Sequence, residues 1–218
     1  MTRIGDLIGD PSNQKWSASK KQEIIEDAQE AFVLDTRTLR DTATTTVVDG
    51  TQEYSLPSDV LDVIRMAHKG IRLRRLSKFD LDTLYATGRD WTQDSGTPSA
   101  YYVDLDPNNK VFGLYPKPAA GDAGANLTME YVKMPPVLTS DSSVPLDSHT
   151  LLITYQMAIA YWAAAYFLDI RPDQQAVFSA SRYKKKYDEL VSQCIETFKS
   201  LEDSVPLRMR GGRYFKGI

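Results

Sequence analysis

The run from Leu151 to Leu168, LLITYQMAIAYWAAAYFL, contains no charged residue and sets the first limit on how this chain can fold. A membrane-spanning helix needs roughly 20 mostly apolar residues. This run has Thr154 and Gln156 inside it, three tyrosines spread along it, and Asp147 and Asp169 near its ends. No basic residue appears before Arg171, so no positive flank fixes an orientation in a bilayer. A helix that is apolar all round is also what a protein core requires. The run therefore reads as a buried core helix, and no membrane contact is expected. Pro172 then opens a second helix that extends to Asp203. From Val177 through Ala180, Tyr183, Tyr187, Cys194 and Phe198 its apolar residues keep three-and-four spacing. At 1.5 Å per residue it would be roughly 45 Å long, longer than a 218-residue sphere needs. Such a helix either projects or packs against other chains.

An earlier helix is predicted from Ser17 to Leu39, with Ser17 or Ser19 accepting from the free N–H groups of its first turn. Residues 41–46, Asp-Thr-Ala-Thr-Thr-Thr, end that pattern. From there to Pro136 the grammar is that of strands and turns. Leu61–Met66 and Ile71–Arg74 flank His68-Lys69-Gly70, a hairpin signal with glycine where a positive φ is required. Ser77 and Asp80 form a capping box ahead of a short helix. A second hairpin joins Tyr101–Leu105 to Val111–Tyr115 across Asp106-Pro107-Asn108-Asn109, and Leu127–Val132 is a last strand. Ala119–Gly124 reads as an exposed loop tip. The predicted fold class is α+β: a helical bundle formed by the N-terminal helix and two C-terminal helices, residues 1–42 and 137–204. It carries an inserted β-rich module, residues 43–136, and an extended C-terminal tail, residues 205–218.

Composition removes most chemistry. A single cysteine, Cys194, lies on the apolar stripe of the last helix, so neither a disulfide framework nor a Cys-rich zinc site is available. A net charge of −3 argues against a protein that coats nucleic acid. His68 and His149 sit beside polar loop residues and read as surface groups without metal-ligand spacing. Asp104-Leu105-Asp106-Pro107-Asn108 begins like a calcium loop, but Asn109 stands where glycine is needed and Tyr115 where the closing acid belongs. Acid pairs such as Asp80/Asp82 and Glu202/Asp203 are ordinary surface pairs, and no phosphate-cradling or nucleophile motif occurs. No catalytic, cofactor or metal site is expected. The N-terminus lacks the apolar run of a signal peptide, so synthesis in a reducing cytosol is the default.

Two features point to partners instead. Arg72 and Arg74 share one face of a predicted strand, with Ile71 and Leu73 on the other, and suit acids or phosphates of a neighbour. The segment from Leu207 to Ile218 has four positive charges, no acid, and the aromatic and arginine mix enriched in binding hot spots. Arg208, Arg210, Arg213, Tyr214, Phe215 and Lys216 make it a docking tail.

The β-rich region carries a further pattern. Glu53-Tyr54-Ser55-Leu56-Pro57-Ser58-Asp59, then Gly96-Thr97-Pro98-Ser99-Ala100-Tyr101, then Leu114-Tyr115-Pro116-Lys117-Pro118, and a strand ending at Tyr131 before Pro135 occur in that order. With its flanking helices the chain resembles the head-to-tail adaptor (connector) proteins of tailed bacteriophages, including the tail tubular A type. The resemblance implies a structural virion protein at the head–tail junction, in a homo-oligomeric ring of about twelve copies below the portal protein, closed by head-to-tail contacts. It would carry a tail or nozzle protein and continue the DNA channel, with genomic DNA passing without tight binding. In such an assembly the docking tail would reach the portal. His68, Lys69, Asn108, Asn109 and Asp122 would face the tail, and Arg72, Arg74, Ala163 and Ala164 would contact neighbouring copies. Two other classes compete: a virion-associated glycan-degrading enzyme using surface acids, and a membrane-active ejection protein using residues 151–168.

Overall fold

The computed structural model describes residues 2–84, 90–106, 109–139, 145–146, 152–171 and 173–204. In chain order the elements begin with α1 (Thr2–Ile8), α2 (Ala18–Thr36), β1 (Arg40–Thr46), β2 (Glu53–Ser55) and β3 (Val60–His68). They continue with β4 (Ile71–Arg72), β5 (Arg74–Arg75), α3 (Lys78–Leu84), β6 (Ser95–Gly96), β7 (Ala100–Asp106) and β8 (Asn109–Tyr115). Last come β9 (Lys117–Pro118), β10 (Asn126–Lys133), α4 (Gln156–Asp169) and α5 (Gln174–Ser204). The chain divides into two compact units, residues 1–28 with 138–218, and residues 29–137.

The predicted three-helix bundle with an inserted module is corrected. Among the described residues there are five helices and three sheets, and the fold is mixed α+β and mostly β-rich. The physical reason is that the strands bury a core of their own, while α1, which the sequence pattern does not announce, supplies another helix at the N-terminus.

In the unit of residues 29–137, one antiparallel sheet has the order β1-β10-β3-β4 and a second has the order β2-β8-β7-β5. β6 and β9 form a small parallel pair. Val60, Val63 and Met66 of β3 and Leu127, Met129 and Tyr131 of β10 share one buried cluster with Tyr101, Phe112 and Leu114 of β7 and β8. The two sheets therefore pack face to face. Period-2 alternation explains this in β10, where Leu127, Met129 and Tyr131 face inward, while in β3 two register shifts against β10 bring Val60, Val63 and Met66, three residues apart, to the same core. The far face of the second sheet is covered as well, because Tyr102, Leu81 of α3 and Trp91 form their own cluster. Ser77 and Asp80 form the predicted capping box: the Asp80 N–H donates to Ser77 Oγ at 2.9 Å, and the Ser77 N–H donates to Asp80 Oδ2 at 2.8 Å.

In the other unit, α4 packs against both α1 and α5, with Ala158, Ile159, Ala163, Ala164 and Phe167 buried. Trp16 lies against Phe167, ring centroids 5.1 Å apart. Ser17 caps α2, accepting the Lys20 N–H on Oγ at 3.1 Å, and Arg37 at φ 52° follows the end of that helix. A 31-residue α5 starts under Asp173, whose Oδ1 accepts the Ala176 N–H at 2.6 Å. Before α2, the Asp10 carboxylate accepts the N–H groups of Gln14, Lys15 and Trp16, while buried Lys21 Nζ reaches Asp10 Oδ2 at 3.0 Å. Burial works to raise the Asp10 carboxyl, and Lys21 with the three N–H groups outweighs it, holding the acid well below its ordinary value.

Candidate interaction surfaces

The hairpin β3–β4 turns at Lys69 (φ 51°) and Gly70 (φ 79°), so the predicted turn forms with glycine in the left-handed region. Its chemistry differs from the expectation. His68 is 2% exposed, not a surface group, because it is the last inward-facing residue of β3. Its Nε2 lies 3.8 Å from Asp122 Oδ1 and has no hydrogen-bond partner. Asp122 belongs to a short 3-10 turn, Ala120–Asp122, and is 3% exposed, so the loop is not wholly an exposed tip. Lys69 remains half-exposed and donates from Nζ to Asp122 Oδ1 at 2.7 Å. That hydrogen bond, with a further one from Thr97, holds the Asp122 carboxyl below its ordinary value against the opposing effect of burial. The structure thus brings His68, Lys69 and Asp122 together as one latch between two loops that sequence reasoning treated separately. Two segments some fifty residues apart meet here, and no local pattern announces it.

Arg72 and Arg74 are both exposed, but they do not share one strand. Arg72 belongs to β4 in the first sheet and Arg74 to β5 in the second, and Leu73 between them is buried where the chain steps across. The Leu73 N–H donates to Met66 O at 2.9 Å and the Arg74 N–H to Ser99 O at 3.0 Å, so successive residues are claimed by different sheets. Ile71 is correspondingly 73% exposed instead of facing inward with Leu73. Arg75, the third member of this basic cluster, is held within the chain: its Nη1 donates to Val63 O at 3.0 Å and Asp62 Oδ1 at 3.3 Å.

Ala163 and Ala164 are fully buried within the chain itself. Val177, predicted on the apolar stripe of α5, is exposed beside Phe178, which is 72% exposed. Ala176, Ala180, Tyr187 and Cys194 of α5 are buried, and Tyr183 stacks on Tyr161 of α4 with ring centroids 5.6 Å apart. Asn108 and the tail residues Arg208, Arg210, Arg213, Tyr214, Phe215 and Lys216 lie outside the described residues, as does His149; Asn109 opens β8 opposite Asp106. Among the described residues, no group of three or more His, Cys, Asp or Glu could hold a metal ion, and no helix is long and apolar enough to cross a membrane.

What these surfaces have in common is that they are turns, charged strand ends and an apolar helix face, the furniture of protein–protein contact. A family model described as SU10 adaptor protein matches residues 1–210, nearly the whole chain. The chain belongs to the SU10 adaptor protein family. Membership carries the coarse role: a structural adaptor of a bacteriophage virion that works through contacts with other head–tail proteins. No individual curated protein matches this SU10 adaptor.

Proposed function

We propose that this SU10 adaptor forms a ring of about twelve copies at the head–tail junction of a virion, seated below the portal and carrying a tail or nozzle protein. The observation that carries the reading is the family match across residues 1–210. The narrower likeness to the tail tubular A type is part of the proposal. Copies made in the host cytoplasm assemble around a channel that continues the DNA path. A net charge of −3 supports passage without tight binding, since tight binding needs phosphate-neutralising Lys and Arg in number.

In this reading the exposed Arg72 and Arg74 contact a neighbouring copy, and the apolar outer residues Val177 and Phe178 give α5 a second contact. The β-rich module, residues 43–136, faces the tail and the helices face the portal. Lys69, Asn108 and Asn109 meet the tail protein together with His68 and Asp122, and Asp122 holds the Lys69 side chain by a hydrogen bond. Ala163 and Ala164 contribute to the core that each copy brings to the ring. Arg208, Arg210, Arg213, Tyr214, Phe215 and Lys216 dock on the portal.

Native mass of the purified chain, alone and mixed with portal, tests this. Mixing with portal should raise the portal's mass by about 290 kDa, twelve times the 24.5 kDa chain. Truncation after Ser204 should leave a folded chain that no longer joins filled heads. A chain that stays monomeric with portal, or a truncation that joins heads unchanged, overturns the reading.

A further inference from the structure

Within the β-rich unit, the outer faces of the two packed sheets differ in charge and in shape. On the first sheet, Leu127, Met129 and Tyr131 of β10 and Met66 of β3 face the core, so Thr128, Glu130, Arg65 and Ala67 between them face outward. Thr42 of β1 stands opposite Glu130, and Arg72 of β4 opposite Ala67, on that same face. Small side chains at Thr42, Ala67 and Thr128, with Gly70, leave a trough of about 240 Å³ that Arg65 and Glu130 also line. Glu130 pairs with Arg65 at 2.5 Å and with Arg40 at 3.7 Å. Arg72 is exposed and, among the described residues, makes no ion pair or side-chain hydrogen bond. Three arginines against one carboxylate leave the surroundings of the trough positive.

The outer face of the second sheet has the opposite character. Leu81 of α3 is fully buried with Trp91 and Tyr102. At about 100° per residue, Phe79 two positions earlier is turned about 160° away from it. Phe79 is accordingly 76% exposed, and its neighbours Asp80 and Asp82 are exposed as well. Lys78, the cation of this helix, is already held by Glu53 at 3.4 Å and Asp104 at 3.0 Å. The result is an aromatic knob flanked by carboxylates. A cavity of roughly 150 Å³ holds a benzene molecule, so the trough has room for a phenylalanine ring. Arg65 at its wall offers a guanidinium to the ring face.

We propose that Phe79 of one copy seats in this trough on the next copy, with its Asp80 and Asp82 against the neighbour's Arg65 and Arg72. Knob and trough lie on opposite faces of one unit, so the contact does not close between two copies. Each copy gives its knob to one neighbour and its trough to another, the head-to-tail arrangement that closes into rings. The inference rests on the ring reading and names the contact that joins its members.

Cross-linking tests it in the full chain, at high protein concentration alone and again with portal. Thr83→Cys lies one turn from Phe79 on the exposed side of α3, and Thr44→Cys stands opposite Thr128 beside the trough. Cys194 is buried and stays out of the reaction. With a short bismaleimide, the double variant should give a ladder of linked multimers. A mixture of the two single variants should give dimers only, and either single variant alone no product. Adding Phe79→Ala or Arg72→Glu, both at exposed positions and checked by an unchanged melting curve, should cut the ladder at least about tenfold. No ladder under either condition, product from a single variant alone, or a ladder insensitive to both substitutions overturns the proposal. A portal that gains mass without a ladder removes this contact and keeps the ring; a ladder without mass on the portal keeps the contact and removes the ring.

Discussion

Replacing Gly113 by alanine should destabilise the β-rich unit far more than its small volume suggests. Gly113 of β8 stands directly opposite Tyr102 of β7, and the tyrosine ring lies across it. A Cβ at Gly113 would sit 2.0 Å from Tyr102 Cζ, 2.3 Å from Oη and 2.4 Å from Cε1. The ring has nowhere to go: Tyr102 is 2% exposed, and Trp91 meets it edge-on with centroids 5.7 Å apart. Its Oη donates to Glu53 Oε1 at 2.9 Å, and burial followed by that carboxylate raises the phenol well above its ordinary value. Overpacking a filled site costs roughly 1–3 kcal/mol. Loss of the hydrogen bond to half-exposed Glu53 adds about 1 kcal/mol. A total of about 2–4 kcal/mol should lower the melting temperature by roughly 5–15 °C for a chain of this size.

The decisive measurement is a double-mutant cycle by urea unfolding, followed by circular dichroism and by fluorescence in a background where Trp16 and Trp162 are replaced by phenylalanine, leaving Trp91. Tyr102→Ala alone should cost about 3–5 kcal/mol, the usual range for a buried aromatic. In the Tyr102→Ala background Gly113→Ala has no ring to meet, so it should cost nothing or recover about 0.5 kcal/mol by removing a flexible glycine from a strand. If Gly113→Ala is neutral alone, or is as damaging without Tyr102 as with it, the close approach of ring and backbone is not what requires glycine.

The Lys69–Asp122 latch should be acid-sensitive: the folded carboxyl titrates below the unfolded value of 3.8, so the stabilisation is present above about pH 4 and is lost as pH falls through the folded value. Protection of the Asp122 and Gly124 amides, which donate to Ala119 O and Val47 O, should drop between pH 5 and pH 3 in the parent; Lys69→Met should be less protected at pH 5 and change less, and identical profiles would refute the latch. Ala164→Trp should cost roughly 1–3 kcal/mol or more in the isolated chain, since Ala164 is fully buried there. A variant that melts normally but fails only in assembly would instead place Ala164 at a contact between copies.

Much of the local structure was legible in the residues. The uncharged run around Ala163 gave a buried helix, though its first turn is a 3-10 segment, Leu152–Tyr155, ahead of α4. Ser77 and Asp80 formed their box, and Lys69-Gly70 turned the hairpin as glycine and a positive φ require. Signals of this kind act over three or four residues, where backbone sterics and hydrogen-bond reach decide the outcome. α1 was missed because seven residues with two apolar side chains facing the core carry too little periodicity to register.

The candidate surfaces were less legible, since each depends on partners distant in sequence. Nothing near Arg72 indicates that the next residue crosses into another sheet, or that His68 closes against Asp122. Strand pairing decides both: β3 is claimed by β10 and β5 by β7, and the chain between them must turn where the two sheets meet. Sequence alone therefore determined which segments become helices, hairpins and caps, because those choices are settled by neighbouring residues. Tertiary structure alone decided which charges are buried and why Gly113 must lack a side chain. These follow from sheet order and packing between segments separated by tens of residues, where the competing arrangements differ only in long-range contacts that no local pattern encodes.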